Sequence, residues 1–216
     1  GTPNNARPIE SELGGVGPSF VVPGPWKQGY IEYHAAHIAT QKLENEGHMC
    51  VACQVLILPD EWEQLNNLVH AVRNALDTAP NRPAYYPGAQ DRASWFLANA
   101  NPSEVLTSDN APNRPIIRFE AGKSDFFERT EVFGPVLTMT TLPSKSSEGF
   151  LEAAIRYAND HLYGTLAANI IIHPLTVKLI GEERFEAMLA ELRYGTIAIN
   201  TWSVIAFTIP NAPWCA

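Results

Sequence analysis

Residues 45–59 read NEGHMCVACQVLILP. From Gln54 onward this is a short apolar run bounded by a proline, the pattern of a buried strand. Before it stand Asn45 and Gly47, residues of turns. Before those, residues 30–43 carry Ile31, Ala35, Ile38 and Ala39 at helical spacing. After it, residues 60–77 repeat that spacing with Trp62, Leu65, Val69, Val72 and Leu76, and Asp60 stands where an N-cap belongs. The stretch therefore reads helix, turn, strand, helix, with Cys50 and Cys53 in or beside the turn.

The same alternation runs along the chain. Helical spacing is expected over 89–99, 147–162 and 175–193, and short apolar runs occur at SFVV, PIIRF, VLTMTTL, LAANIII and TIAIN. Gly164 and Gly195 follow helical patterns and precede strands, as C′ glycines do. Strands alternating with helices predict an α/β fold, a three-layer α/β/α domain with a mainly parallel sheet. Residues 79–88, APNRPAYYPG, read as a loop, because proline blocks helix and cannot donate to a ladder. APNRP recurs at 111–115 with unrelated flanks, which indicates shared turn chemistry rather than a repeat.

Composition narrows the function. The 216 residues are 45% hydrophobic and 18% charged, the balance of a soluble globular domain. A net charge of −8 disfavours nucleic acid and anionic membrane as partners, since both select basic faces. No run approaches the ~18 apolar residues of a membrane span, and the N-terminal residues lack a signal-peptide pattern. Three cysteines fit a reducing, cytoplasmic setting better than a disulfide framework. The first residue is glycine, which suggests a processed, tagged or excised piece.

Four kinds of chemistry compete for the cysteines and glycines. His34, His37, His48, Cys50 and Cys53 are zinc-ligating types, but their spacing matches no common finger or ribbon. A redox CxxC needs its first thiol at a helix N-terminus, whereas CVAC leads into a strand. Gly15-Val16-Gly17 begins like a dinucleotide fingerprint, yet Phe20 occupies the third glycine's place. Cys50 alone, after a helix end and a turn, is placed to sit beside unpaired backbone N–H groups that favour a thiolate and hold an oxyanion. It needs a base; Glu12 is a carboxylate beside two glycines, and composition alone does not pair it with Cys50.

Five segments carry a resemblance. SELGGVGPSFVV, NEGHMCVA, TEVFGPVL, AIRYANDHLYGTLAANI and LRYGTIAIN resemble, in order and approximate spacing, segments of the aldehyde dehydrogenase superfamily. The resemblance implies that Cys50 attacks an aldehyde and that Glu12 activates the water releasing a carboxylic acid. It implies that Glu131 and Phe133 meet NAD or NADP, and that Asn45, Gly47 and Asn200 shape the loops around the thiol. No metal is implied. His48 and Val16 depart from the family's glutamine and lysine, and Cys215 stands where the family shows glycine. The nucleotide-binding domain expected before ELGG and the C-terminal oligomerisation strand have no counterpart, so residues 1–216 resemble the catalytic domain alone. The expected partners are a small aldehyde and, in a full-length protein, further copies of the chain. Tyr85, Tyr86, Trp202, Phe207 and Trp214 are suited to an aromatic-tolerant pocket. The alternative is a non-catalytic module, either zinc-stabilised or a dehydrogenase remnant.

Overall fold

The computed structural model describes residues 14–83, 85–209 and 211. Strand β1 (Pro18–Val21) leads to helix α1 (Gln28–Leu43), then β2 (Val55–Pro59), α2 (Leu65–Thr78) and α3 (Ala89–Ala98). Next come β3 (Val105–Leu106), β4 (Ile116–Arg118), α4 (Asp125–Arg129), β5 (Leu137–Leu142) and α5 (Ser147–His161). The chain closes with β6 (Ala167–Ile171), α6 (Pro174–Ile180), α7 (Glu182–Glu191) and β7 (Thr196–Ile199). The sheet runs β3-β4-β5-β2-β1-β6-β7. Every neighbouring pair is parallel except β3 with β4.

Alternation along the strands builds the three layers. Val21, Leu56, Leu58, Met139 and Ile171 face one way and pack under Ile31, Ala35 and Ile38 of α1 and Leu68, Val72 and Leu76 of α2. Phe20, Val55, Ile57, Ala168 and Ile170 face the other way, under α5 (Leu151, Ala154, Ile155, Ala158) and α7 (Phe185, Met188). Both faces of the central strands are covered, which is why their sequences read as continuous apolar runs. The expected α/β/α architecture and parallel sheet are present.

Several boundaries differ from expectation, each for a local reason. The 175–193 helix is two helices, broken at Gly181, where φ is +91°. Asp60 does not cap α2. Its N–H donates to Leu142 O at 3.1 Å, and the helix begins at Leu65 with Gln64 in the cap position. Gly195 is not a left-handed C′ residue; its N–H donates to Thr165 O at 2.8 Å as the chain enters β7. Strand β3 and helix α4 are too short to leave a periodic signal. The two APNRP segments touch: the Arg114 guanidinium donates to Pro80 O at 2.7 Å, and Asn113 Nδ2 to Asn81 Oδ1 at 3.5 Å. Among the described residues no helix is long and apolar enough to cross a membrane.

Candidate active site

Cys50 lies at the amino ends of the strands. Helix α1 ends at Leu43, and the chain then turns through Asn45, Glu46 and Gly47, all at positive φ (52°, 53° and 79°). A bend of this kind is costly for non-glycine residues and persists only where its surroundings hold it. Here they do. Glu46 is buried and meets Arg114, equally buried, at 3.1 Å, and Arg114 also donates to Leu76 O and Ala79 O. Asn45 Nδ2 donates to His48 O at 3.2 Å, and the Tyr85 hydroxyl donates to Asn45 Oδ1 at 2.7 Å. A Cβ on Gly47 would collide with the Gly134 carbonyl, so only glycine lets these two backbones meet.

The turn ends with Ala52 N donating to Met49 O, leaving Cys50 half-buried. It faces a crease lined by Gly15, Gly17, Gly164, Leu166, Ala167 and Tyr194, with a volume of ≈ 10 Å³. Gly15 and Gly164 pack backbone against backbone, and a Cβ on Gly164 would lie 2.9 Å from the Gly15 Cα. Val16 N donates to Tyr163 O at 2.8 Å, locking the same contact. Trp202 Nε1 donates to Val51 O at 2.8 Å and closes the turn from beyond β7.

Glu131 reaches the same place from another loop. Gln54, buried directly before β2, donates from Nε2 to Thr130 O at 2.7 Å and accepts at Oε1 from Val132 N at 2.9 Å. This pair of bonds clamps Glu131 from both sides. Its carboxylate lies so close to Gly14 that a Cβ there would fall 2.6 Å from both oxygens. Burial pushes the Glu131 carboxyl up, opposed by Lys42, the Gly15 amide and Arg92. Burial pulls the Lys42 ammonium down to about 8, opposed by Cys53 and Glu131. Phe133 is left-handed (φ 43°), with its ring edge-on to His48 at 5.4 Å and to Tyr86 at 5.4 Å. Tyr86 stacks on His48 at 4.7 Å.

Five separate segments therefore converge: the glycines at 14–17, the turn at 45–52, the 130–134 loop, Tyr163-Gly164 and Tyr194. The sequence profile of the aldehyde dehydrogenase family matches residues 2–214. The chain belongs to the aldehyde dehydrogenase family. It is 25% identical to betaine aldehyde dehydrogenase of Bacillus subtilis (strain 168), over 97% of this chain and 43% of that protein. Two solved aldehyde dehydrogenase-type folds superpose over 88% of the chain. One is gamma-glutamyl-gamma-aminobutyraldehyde dehydrogenase from Burkholderia cenocepacia J2315 (TM-score 0.64, 20% identity, 38% of that chain). The other is NADP-dependent glyceraldehyde-3-phosphate dehydrogenase from Bacillus halodurans C-125, complexed with NADP (TM-score 0.68, 18% identity, 39% of that chain). The chain thus spans about two fifths of the length of these relatives.

Within this aldehyde dehydrogenase fold the expected residues are distributed as follows. Cys50, Asn45, Gly47, Glu131 and Phe133 lie in the converging loops. Asn200 sits at the carboxyl end of β7, where its amide donates to Ile172 O and accepts from Ile172 N. It was expected in the loops around the thiol, but it lines the cavity at the carboxyl ends of the strands and not the Cys50 crease. Beyond it the chain reverses, with Ser203 N donating to Asn169 Oδ1 and Trp202 Nε1 to Val51 O. Glu12, Trp214 and Cys215 lie outside the described residues. Among the described residues no three His, Cys, Asp or Glu side chains converge as a metal site. Cys53 is fully buried, bonded to Ser19, with its thiol pushed up by burial. Gln54, Glu46, Arg114 and Lys42 were not singled out in sequence. Glu46 inside an apparent helix end, and Lys42 on the helix face occupied by Ile38 and Ala39, were the available signals.

Proposed function

We propose that this chain carries the thiol half of a site that oxidises aldehydes to carboxylic acids with NAD or NADP, completed by a nucleotide-binding domain outside this sequence. The observation behind the proposal is that Cys50 sits in a crease of ≈ 10 Å³ walled by residues 15–17, Gly164, Leu166, Ala167 and Tyr194, with the 130–134 loop packed beside it against Gly14 and Gly47. That volume has no room for an aldehyde, so the substrate chamber is formed against the partner domain.

The chemistry assigned to the chain's own residues is covalent. The Cys50 thiolate adds to the aldehyde carbon, and its backbone N–H helps hold the resulting oxyanion. Bound NAD(P) supplies the acceptor for the aldehyde hydride. Glu12 then takes a proton from the water that attacks the Cys50 thioester, releasing the acid and restoring the thiol. The local residues suit the ribose end of such a cofactor. Glu131 is an acceptor clamped at a fixed position, and Phe133, Tyr86 and His48 present aromatic faces beside it. The nucleotide end would rest on the other domain, so the isolated chain is expected to bind NAD only weakly. Self-association in the full-length protein and a cytoplasmic location belong to the same proposal.

The test is the pH dependence of alkylation at each cysteine, read by peptide mass spectrometry. Cys50 is expected to react well below the ordinary thiol pKa of about 8.5, and Cys53 to stay protected. A Cys50 no more reactive than Cys215 would make the chain a remnant without nucleophilic function.

A further inference from the structure

A cavity of ≈ 740 Å³ opens at the opposite end of the sheet from Cys50. It lies where β1 and β6 end side by side. Helix α1 leaves β1 toward one face, and α6 and α7 leave β6 toward the other. That is a topological switch point, where neighbouring loops diverge and open a crevice at the carboxyl ends of the strands. The Cys50 crease is at the amino ends, so the two sites share no lining residue.

The walls select a ligand. Trp26, Tyr30 and Tyr33 supply flat apolar surface. The N-terminus of α1, a 16-residue helix, faces the cavity through Lys27 and Gly29. Lys27 provides no side-chain cap, and the first turn holds no acidic residue. Lys27 is exposed and forms no ion pair among the described residues. The His173 Nδ1 accepts from Leu175 N at 3.1 Å, so the proton of its neutral ring is on Nε2, a donor. His34 is 7% exposed, and its Nδ1 is buried without a hydrogen-bond partner. No aspartate or glutamate is among the lining residues, in a chain of net charge −8.

We propose that this cavity is a second binding site, separate from the thiol site, for a small planar aromatic carboxylate. The carboxylate lies toward the α1 N-terminus and Lys27, where the helix dipole and the cation both favour an anion. The ring lies among Trp26, Tyr30 and Tyr33. The site does not depend on the dehydrogenase reading: it shares no lining residue with the Cys50 crease, and Asn200, the one described residue of the expected thiol set that lines it, has its side-chain amide bonded to Ile172.

The test is an NMR titration of the chain with 2-naphthoate, and with 2-naphthamide as the uncharged counterpart. Saturable shifts are expected at the Trp26 indole and the Gly29 amide, with the amide compound binding at least about fivefold more weakly. Lys27→Met should weaken 2-naphthoate by about fivefold. Gly29→Leu should block it without unfolding, because a Cβ at Gly29 meets nothing within 4 Å. Equal affinity for the acid and the amide overturns the proposal, as do shifts confined to residues near Cys50. Concentration-dependent shifts of Trp26 without added compound also overturn it, since a second copy then covers the cavity.

Discussion

Gly47 and the Glu46–Arg114 pair hold the thiol's turn in place, and their removal should separate two kinds of failure. Arg114→Met leaves the Glu46 carboxylate buried without its cation and should cost about 3–5 kcal/mol in denaturant unfolding. Glu46→Gln removes the charge on the other side but leaves Arg114 its three carbonyl acceptors, so the loss should be smaller. Gly47→Ala meets both a positive φ and the Gly134 carbonyl. Its expected signature is a displaced Cys50 turn, seen as slowed alkylation of Cys50 in a chain that still unfolds cooperatively. If alkylation is unchanged, the backbone contact between residues 47 and 134 does not position the thiol.

Helix ends give opposite predictions for two glycines. Gly181 joins α6 to α7 at φ +91° and ψ 136°, an extended positive-φ conformation that costs an L-residue about 1–3 kcal/mol. Gly181→Ala should therefore destabilise by about that amount, although a Cβ there meets nothing within 4 Å. Gly29 lies in the first turn of α1 with equally open space, but at an ordinary helical φ. Gly29→Ala should stabilise by up to about 1 kcal/mol. Thermal unfolding of the two variants side by side separates backbone strain from contact loss, because neither substitution creates a clash.

At the scale of the whole molecule, acid should unfold the protein partly through the α1 histidines. Burial, with His37 adding to it, holds the His34 imidazole down to about 4 from its ordinary 6.5. Burial lowers His37 as well. Between those two values the unfolded chain takes up a proton that the folded chain refuses. Stability is therefore full above about pH 6.5 and falls as pH drops toward 4. His34→Phe keeps an aromatic ring against Trp26 and should flatten that slope in unfolding curves recorded across the window. An unchanged slope would assign the acid sensitivity to other groups.

Much of this protein was legible in its sequence because the relevant signals are local. Apolar runs such as VLILP and AANII are buried on both faces, and that alone makes a strand of a parallel sheet readable. The turn at 45–52 announced itself through Asn45 and Gly47. The residues that hold the site were not legible, because their roles depend on contacts between distant segments. Gln54 looks like the edge of a strand, yet it bonds to residues 76 and 78 positions away. Arg114 and Glu46 are 68 positions apart, and each is an ordinary surface type until burial pairs them. The sequence by itself determined the alternation of strands and helices, since periodicity and turn chemistry act over a few residues. Only the tertiary structure decided strand order, and with it which end of the sheet holds the thiol and which end opens the aromatic cavity, because burial and pairing across the chain have no local signature.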